Sequence, residues 1–127
     1  MTKTQGYRGY KDLRVYQLAY SLAMEIFQET KKFPTEERYS LTDQIRRSSR
    51  SIPTNIAEAW KKRSYEKAFV SKLSDCSAEG AETEVWLDFA RDCSYLTADR
   101  HAYFAEKYDE VNRMLSSMMN QPGKFCS

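Results

Sequence analysis

The stretch Phe69-Val-Ser-Lys-Leu73-Ser-Asp-Cys76-Ser-Ala-Glu-Gly80-Ala-Glu-Thr83-Glu-Val-Trp-Leu87-Asp-Phe-Ala90 decides the fold. Its apolar and small residues at 69, 73, 76, 80, 83, 87 and 90 are spaced alternately four and three apart. A helix gathers such residues onto one stripe, whereas a strand would alternate by two. The heptad form predicts a shallow left-handed crossing with the neighbouring helices. Cys76, Ser77, Ala78, Gly80 and Ala81 make the middle of the stripe small, so a partner backbone can come close there. This helix is predicted over about 65–93, with Ser64 as its cap.

The same period recurs on both sides. Val15, Ala19, Leu22 and Ile26, widened by Leu18 and Ala23, mark a helix over about 12–32, with Asp12 as N-cap and Phe33-Pro34 as its stop. Leu41, Ile45, Ser48, Ile52, Ile56 (or Asn55) and Ala59 mark another over about 36–62, capped by Thr35. Pro53 falls inside it, and the apolar register continues past the proline, which predicts one helix kinked at Pro53 rather than two. Phe104, Tyr108, Val111, Leu115 and Met118 mark the last over about 98–120, capped by Thr97. Pro122-Gly123 then ends the helix, and 122–127 reads as a flexible tail. Linkers of a few residues at 33–35, 63–64 and 94–97 predict an all-α, up-down-up-down antiparallel four-helix bundle. The bundle forms one domain over 1–121.

Composition agrees. With 4 Gly and 3 Pro in 127 residues there is too little turn chemistry for an all-β fold. No apolar run approaches the roughly 20 residues a bilayer demands, and the polar start carries no signal-peptide core. A cytoplasmic protein without a membrane role is expected. Cys76, Cys93 and Cys126 are odd in number and far apart, which disfavours a disulfide framework or a zinc site. Cys76 and Cys93 read as small buried side chains.

One segment carries a resemblance. Tyr39-Ser-Leu-Thr-Asp-Gln-Ile-Arg-Arg-Ser-Ser-Arg-Ser-Ile-Pro-Thr-Asn-Ile-Ala-Glu58 resembles the signature of the family first described as encoded by 23S rRNA intervening sequences. Asp12-Leu13, Val15-Tyr16-Gln17, Phe33-Pro34, Glu82-Thr83 and Tyr95-Leu96 match as well. Ala59 stands where the family usually has Gly, Tyr16 where Trp is common, and Cys76-Ser77 where Gly-Ser is usual. The resemblance covers about 10–115. It implies a four-helix bundle assembling as a ring-like homo-oligomer, a pentamer, with no known catalytic activity.

The residues themselves offer three functional candidates. Residues 46–67 hold Arg46, Arg47, Arg50, Lys61, Lys62, Arg63 and Lys67 against Glu58 and Glu66, a local charge of about +5, while 75–92 is about −5. The basic stretch reads either as an RNA- or DNA-phosphate surface or as one half of ion pairs within the bundle or between subunits. Asn55 and Glu58, beside Pro53, read as structural polar groups satisfying backbone freed by the proline. The aromatic complement of 9 Tyr, 6 Phe and 2 Trp exceeds what a small core needs. Tyr10, Tyr16, Tyr20, Trp60 and Trp86 fall off or beside the seams, as candidates for an oligomer interface. A base-stacking platform is the alternative.

His101 is the only histidine, so neither a Ser/His/Asp arrangement nor a di-iron set can be built. It reads as a solvated surface residue. The expectation is a non-enzymatic homo-oligomeric scaffold or adaptor without cofactors, with RNA or DNA as a candidate partner on its basic surface. The alternatives are a protein-only interaction module and a bundle-core metal enzyme.

Overall fold

The computed structural model describes residues 6–126, and among these it contains four α-helices and no strand. They are α1 (Arg14–Thr30), α2 (Leu41–Lys61), α3 (Glu66–Asp92) and α4 (Ala98–Asn120). Every inward residue read from the period in α3 and α4 is buried, as are Val15, Ala19, Leu22 and Ile26 of α1 and Leu41, Ile45, Ser48, Ile52, Ile56 and Ala59 of α2. Each helix packs against the next, and α1 also packs against α4. Cross-helix contacts run in opposite senses: Ser48 meets Thr83, Ile52 meets Cys76, and Glu58 meets Lys72. Likewise Arg14 meets Glu110, while Glu29 meets Arg100.

The small seam does what its composition implies. The Ser48 and Thr83 hydroxyls share a hydrogen bond at 2.8 Å, and Cys76 Sγ donates to the Ile52 carbonyl at 3.3 Å. Burial pushes the Cys76 thiol up to about 12, so it stays protonated. Gly80 serves the other neighbour: a Cβ there would stand 3.2 Å from Asn112 Oδ1 of α4. Its missing side chain admits α4.

α2 is one helix through Pro53, which is itself buried. A proline in a helix interior costs about 3 kcal/mol. Burying Ile52 and Ile56 beside it contributes about 1.5–3 kcal/mol each, enough to hold the helix together. Ser49, Ser51 and Thr54 hydroxyls donate back to the carbonyls of Arg46, Arg47 and Arg50.

The helix ends differ from expectation where a distant residue intervenes. Asp12 does not cap α1; it lies in a 3-10 turn (Tyr10–Asp12) and accepts from the Arg8 amide at 2.7 Å. Thr35 does not cap α2. A second 3-10 turn occupies Thr35–Glu37, and α2 begins only at Leu41. There Glu37 accepts from the Ser40 hydroxyl at 2.6 Å, the Leu41 amide at 3.4 Å and the Tyr95 hydroxyl at 2.9 Å. A carboxylate at a helix N-terminus is favourable, and these donors hold Glu37 below the usual carboxylate range, Ser40 most of all. Ser64 does not cap α3 either, since the flanking position is Tyr65. Thr97 caps α4 as expected, accepting from the Arg100 amide at 3.1 Å.

The C-terminal residues also differ from the expected free tail. Pro122–Lys124 form a 3-10 turn, and the Phe125 ring lies 6.2 Å from Phe69 and 6.2 Å from Tyr7. An aromatic three residues after Pro122 gives this stretch an anchor. Cys93, expected inside, is exposed at the end of α3.

Candidate nucleic-acid interface

α1 presents two edges. Glu25 and Glu29 lie four apart and face α4, where Arg100 donates to them at 3.3 and 2.8 Å. Tyr20, Met24 and Phe27 lie toward α2, with no carboxylate among them. Against this second edge α2 sets two of the expected basic residues. The Arg46 and Arg50 guanidinium groups stand 4.8 and 5.5 Å from the Phe27 ring centroid, and the Lys31 ammonium stands 4.9 Å from it. Arg46 Nε also donates to Thr30 Oγ1 at 2.8 Å, which fixes the group over the ring. Three cations thus surround one aromatic face.

From Arg50 the α1–α2 face opens into a groove of about 470 Å³ lined by Tyr10, Tyr16, Tyr20, Ala23, Met24, Pro53, Thr54 and Ala57. The Tyr10 and Tyr16 rings are 5.0 Å apart, and Tyr16 and Tyr20 are 6.0 Å apart, so the three tyrosines form a ladder. Burial, with the neighbouring phenols, raises the Tyr16 hydroxyl above its ordinary value. One helical turn beyond Ala57 lies Lys61, which with Arg8, Gly9, Trp60, Arg63 and Ser64 lines a second hollow of about 200 Å³. No carboxylate lines either one.

The structure therefore sorts the basic stretch. Arg46 and Arg50 form one cluster, with Lys31. Lys61 and Arg63 form a second, with Arg8. Lys62 and Lys67 are exposed near the turn between α2 and α3. Among the described residues none of these seven basic side chains of 46–67 is in an ion pair. Arg47 leans the other way, toward α3, where it acts on Glu79. That carboxyl is nevertheless held above its ordinary value, first by burial and then by Glu82.

Other expectations change. Glu58 does not serve the backbone around Pro53; it pairs with Lys72 of α3 at 2.9 Å, while Asn55 is half-buried. Trp60 is 4% exposed, in the core rather than at a surface. Arg63 covers it at 3.7 Å and the Tyr7 ring meets its edge at 5.8 Å. Trp86 is half-buried beside Phe89, and with Tyr39, Leu41 and Cys93 the pair lines a separate hollow of about 410 Å³. His101 is not free in solvent: its Nε2 lies 2.7 Å from Asp88 and its ring abuts Arg91. Among the described residues no group of three or more His, Cys, Asp or Glu is placed to hold a metal ion, and no helix is long and apolar enough to cross a membrane.

Phe27, Lys31 and Arg8 were not among the sequence candidates. The four-residue spacing of Phe27 and Lys31 was a signal for a ring–cation pair on one helix face, but α2's placement of Arg46 and Arg50 over it was not.

The profile of the 23S rRNA-intervening sequence proteins matches residues 11–117. The chain belongs to this family. A crystal structure of a protein of unknown function from the S23 ribosomal protein family, from Bacteroides thetaiotaomicron, is similar at 29% identity with a TM-score of 0.76. The similarity covers 84% of this chain and 95% of that one. No curated protein matches. In this intervening-sequence family member, the signature segment 39–58 forms most of α2, including Arg46, Arg50 and the buried Pro53.

Proposed function

We propose that this protein is a non-enzymatic, self-associating helical scaffold that binds RNA or DNA on its α1–α2 face. The observation that carries the reading is the set Lys31, Arg46, Arg50, Lys61, Arg63 and Arg8, none in an ion pair among the described residues and four of them lining two hollows without a carboxylate, in a chain whose net charge is only +2. Cations that would serve only as structural partners sit on carboxylates, as Arg100 does; these do not. Each phosphate neutralised there would release a counterion, so binding should depend steeply on salt.

A separate surface supports self-association. Phe89 is 53% exposed, Val85 49% and Tyr39 84%, next to Trp86 and flanked by Glu82, Asp88 and Asp92. At the other end of α3, exposed Tyr65 stands between Lys62 and Lys67. An acidic aromatic patch and a basic aromatic patch at opposite ends of one helix suit head-to-tail contact between copies, and a head-to-tail contact that closes makes a ring. The pentamer the family resemblance implies is one such closure.

Two measurements test this. In an electrophoretic or fluorescence titration, the protein should bind a labelled polynucleotide at low salt, and Arg46→Ala/Arg50→Ala should weaken it severely; unchanged affinity in that variant defeats the nucleic-acid reading. In light scattering, the native chain should run as an oligomer and Phe89→Asp should run smaller. A native monomer at micromolar concentration sinks the assembly reading.

A further inference from the structure

We infer that the α1–α2 groove is built for a single strand of nucleic acid, with Tyr16 and Tyr20 stacking on its bases and the two cation clusters holding its phosphates. The inference rests on the nucleic-acid reading above and narrows it to one chemistry and one path.

The geometry has three parts. First, the groove has a positive cluster at each end. Arg50 and Lys61 are eleven residues apart on α2, about 16 Å at 1.5 Å per residue. A stacked strand advances roughly 3.4 Å per nucleotide, so about five nucleotides span that interval. Second, the wall between the clusters is aromatic and uncharged. Tyr20 is 53% exposed, and Tyr16 is half-buried beside it with their rings 6.0 Å apart. A ladder of rings inside a positive groove is the arrangement that binds single strands without reading sequence, because every base has a π face. Third, the wall offers ring faces, which only unpaired bases can meet. A duplex has its bases stacked inside and would leave the tyrosines unused.

The surroundings agree. Three carboxylates of α1 and α2 are engaged elsewhere, Glu25 and Glu29 with Arg100 and Glu58 with Lys72, while Asp12 accepts from the Arg8 amide beside the second cluster. Arg63 Nε is buried without a hydrogen-bond partner among the described residues, at the hollow where a phosphate would arrive.

The test is a titration of the full-length protein at low salt with labelled oligo-uridine, oligo-thymidine, and a blunt duplex of the same length. Both single strands should bind, and the duplex should bind at least tenfold more weakly. Tyr20→Ala should weaken strand binding about tenfold, Tyr16→Ala/Tyr20→Ala more, and Tyr20→Phe should restore it, because a phenyl ring stacks as well. Circular dichroism and thermal melting of Tyr20→Ala should match the native protein, since that ring is largely in solvent.

Equal binding of duplex and strand, or no effect of Tyr20→Ala on strands, overturns the groove while leaving nucleic-acid binding on the basic face intact. Absence of binding to all three probes overturns both. A Tyr20→Ala variant that loses its oligomeric state identifies the groove as a contact between copies and overturns the inference as well.

Discussion

The two edges of α1 use the same kind of residue for opposite ends. Toward α4, Arg100 lies 4.7 and 4.9 Å over the Tyr103 and Phe104 rings and gives hydrogen bonds to Glu25 and Glu29. Toward α2, Arg46 and Arg50 lie over Phe27 in nearly the same way, but meet no carboxylate. A guanidinium on an aromatic face is common to both. What differs is whether its charge is cancelled. The α1–α4 edge spends its charge inside the protein, and the α1–α2 edge leaves it without an ion pair among the described residues. That contrast, more than the charge count of 46–67, is what the proposed binding role of Arg46 and Arg50 rests on.

The largest expected difference is in salt dependence. For about five phosphate contacts on a single strand the slope of log affinity against log salt is about −3.5, so a fourfold rise in salt weakens binding about 100-fold. Arg46→Ala/Arg50→Ala should lower that slope by about 1.4, two contacts' worth, while Arg100→Ala leaves it unchanged. Titrations at several salt concentrations on the three proteins give the slopes directly. Equal slopes for all three would erase the distinction between the edges.

Stability should invert the order. Arg100→Ala removes two charge-assisted bonds and its cover over two rings. Such bonds are worth about 1.5–3 kcal/mol where buried, and the part-exposure of this side chain reduces that to about 1–2 kcal/mol. Arg50→Ala has no ion pair to lose and should change stability by no more than about 0.5 kcal/mol. Urea unfolding followed by circular dichroism would measure both. A loss at Arg50 as large as that at Arg100 would mean the α1–α2 cations hold the fold together after all.

How much of this was readable in advance follows from how far each interaction reaches. The seams were legible because helical period is local: Phe69 to Ala90 and Phe104 to Met118 are buried as spaced. The Thr97 cap was legible because its partner Arg100 is three residues away. The start of α2 was not, because Glu37 is held by Tyr95, 58 residues away in sequence. Trp60 misled for the same reason: its covers are Tyr7, from near the N-terminus, and Arg63, beyond the end of α2. For the site, Arg46 and Arg50 could be picked from sequence as a turn-spaced pair. Phe27 and Lys31 belong to another helix, and only the packing of α1 on α2 brings them beneath the arginines. Glu58 was placed by its neighbourhood to Pro53, yet an acceptor on an exposed helix face goes to the nearest long cation, and that is Lys72.

The smallest effect separates the tyrosines of the two edges. Tyr103 donates to Glu25 at 2.8 Å, and that bond chiefly raises its hydroxyl above the ordinary value; Tyr16 is raised chiefly by burial. In both cases the folded state holds its phenolic proton to higher pH than the unfolded chain does. Between the unfolded value of 10.0 and the raised folded one, the folded state therefore binds more protons, and stability falls as pH rises through that window. Below pH 10 the contribution is fully present. Tyr103→Phe should cost about 1 kcal/mol at neutral pH, one hydrogen bond to a charged acceptor discounted for part-exposure, and should flatten the alkaline decline. Tyr16→Phe removes no bond to a carboxylate, so it should leave neutral-pH stability nearly unchanged while flattening the same decline. Melting curves from neutral pH to above pH 10 would distinguish them. If Tyr16→Phe cost as much as Tyr103→Phe at neutral pH, the groove hydroxyl would hold a structural bond of its own, and the α1–α2 edge would be less free for a ligand than its uncancelled charge indicates.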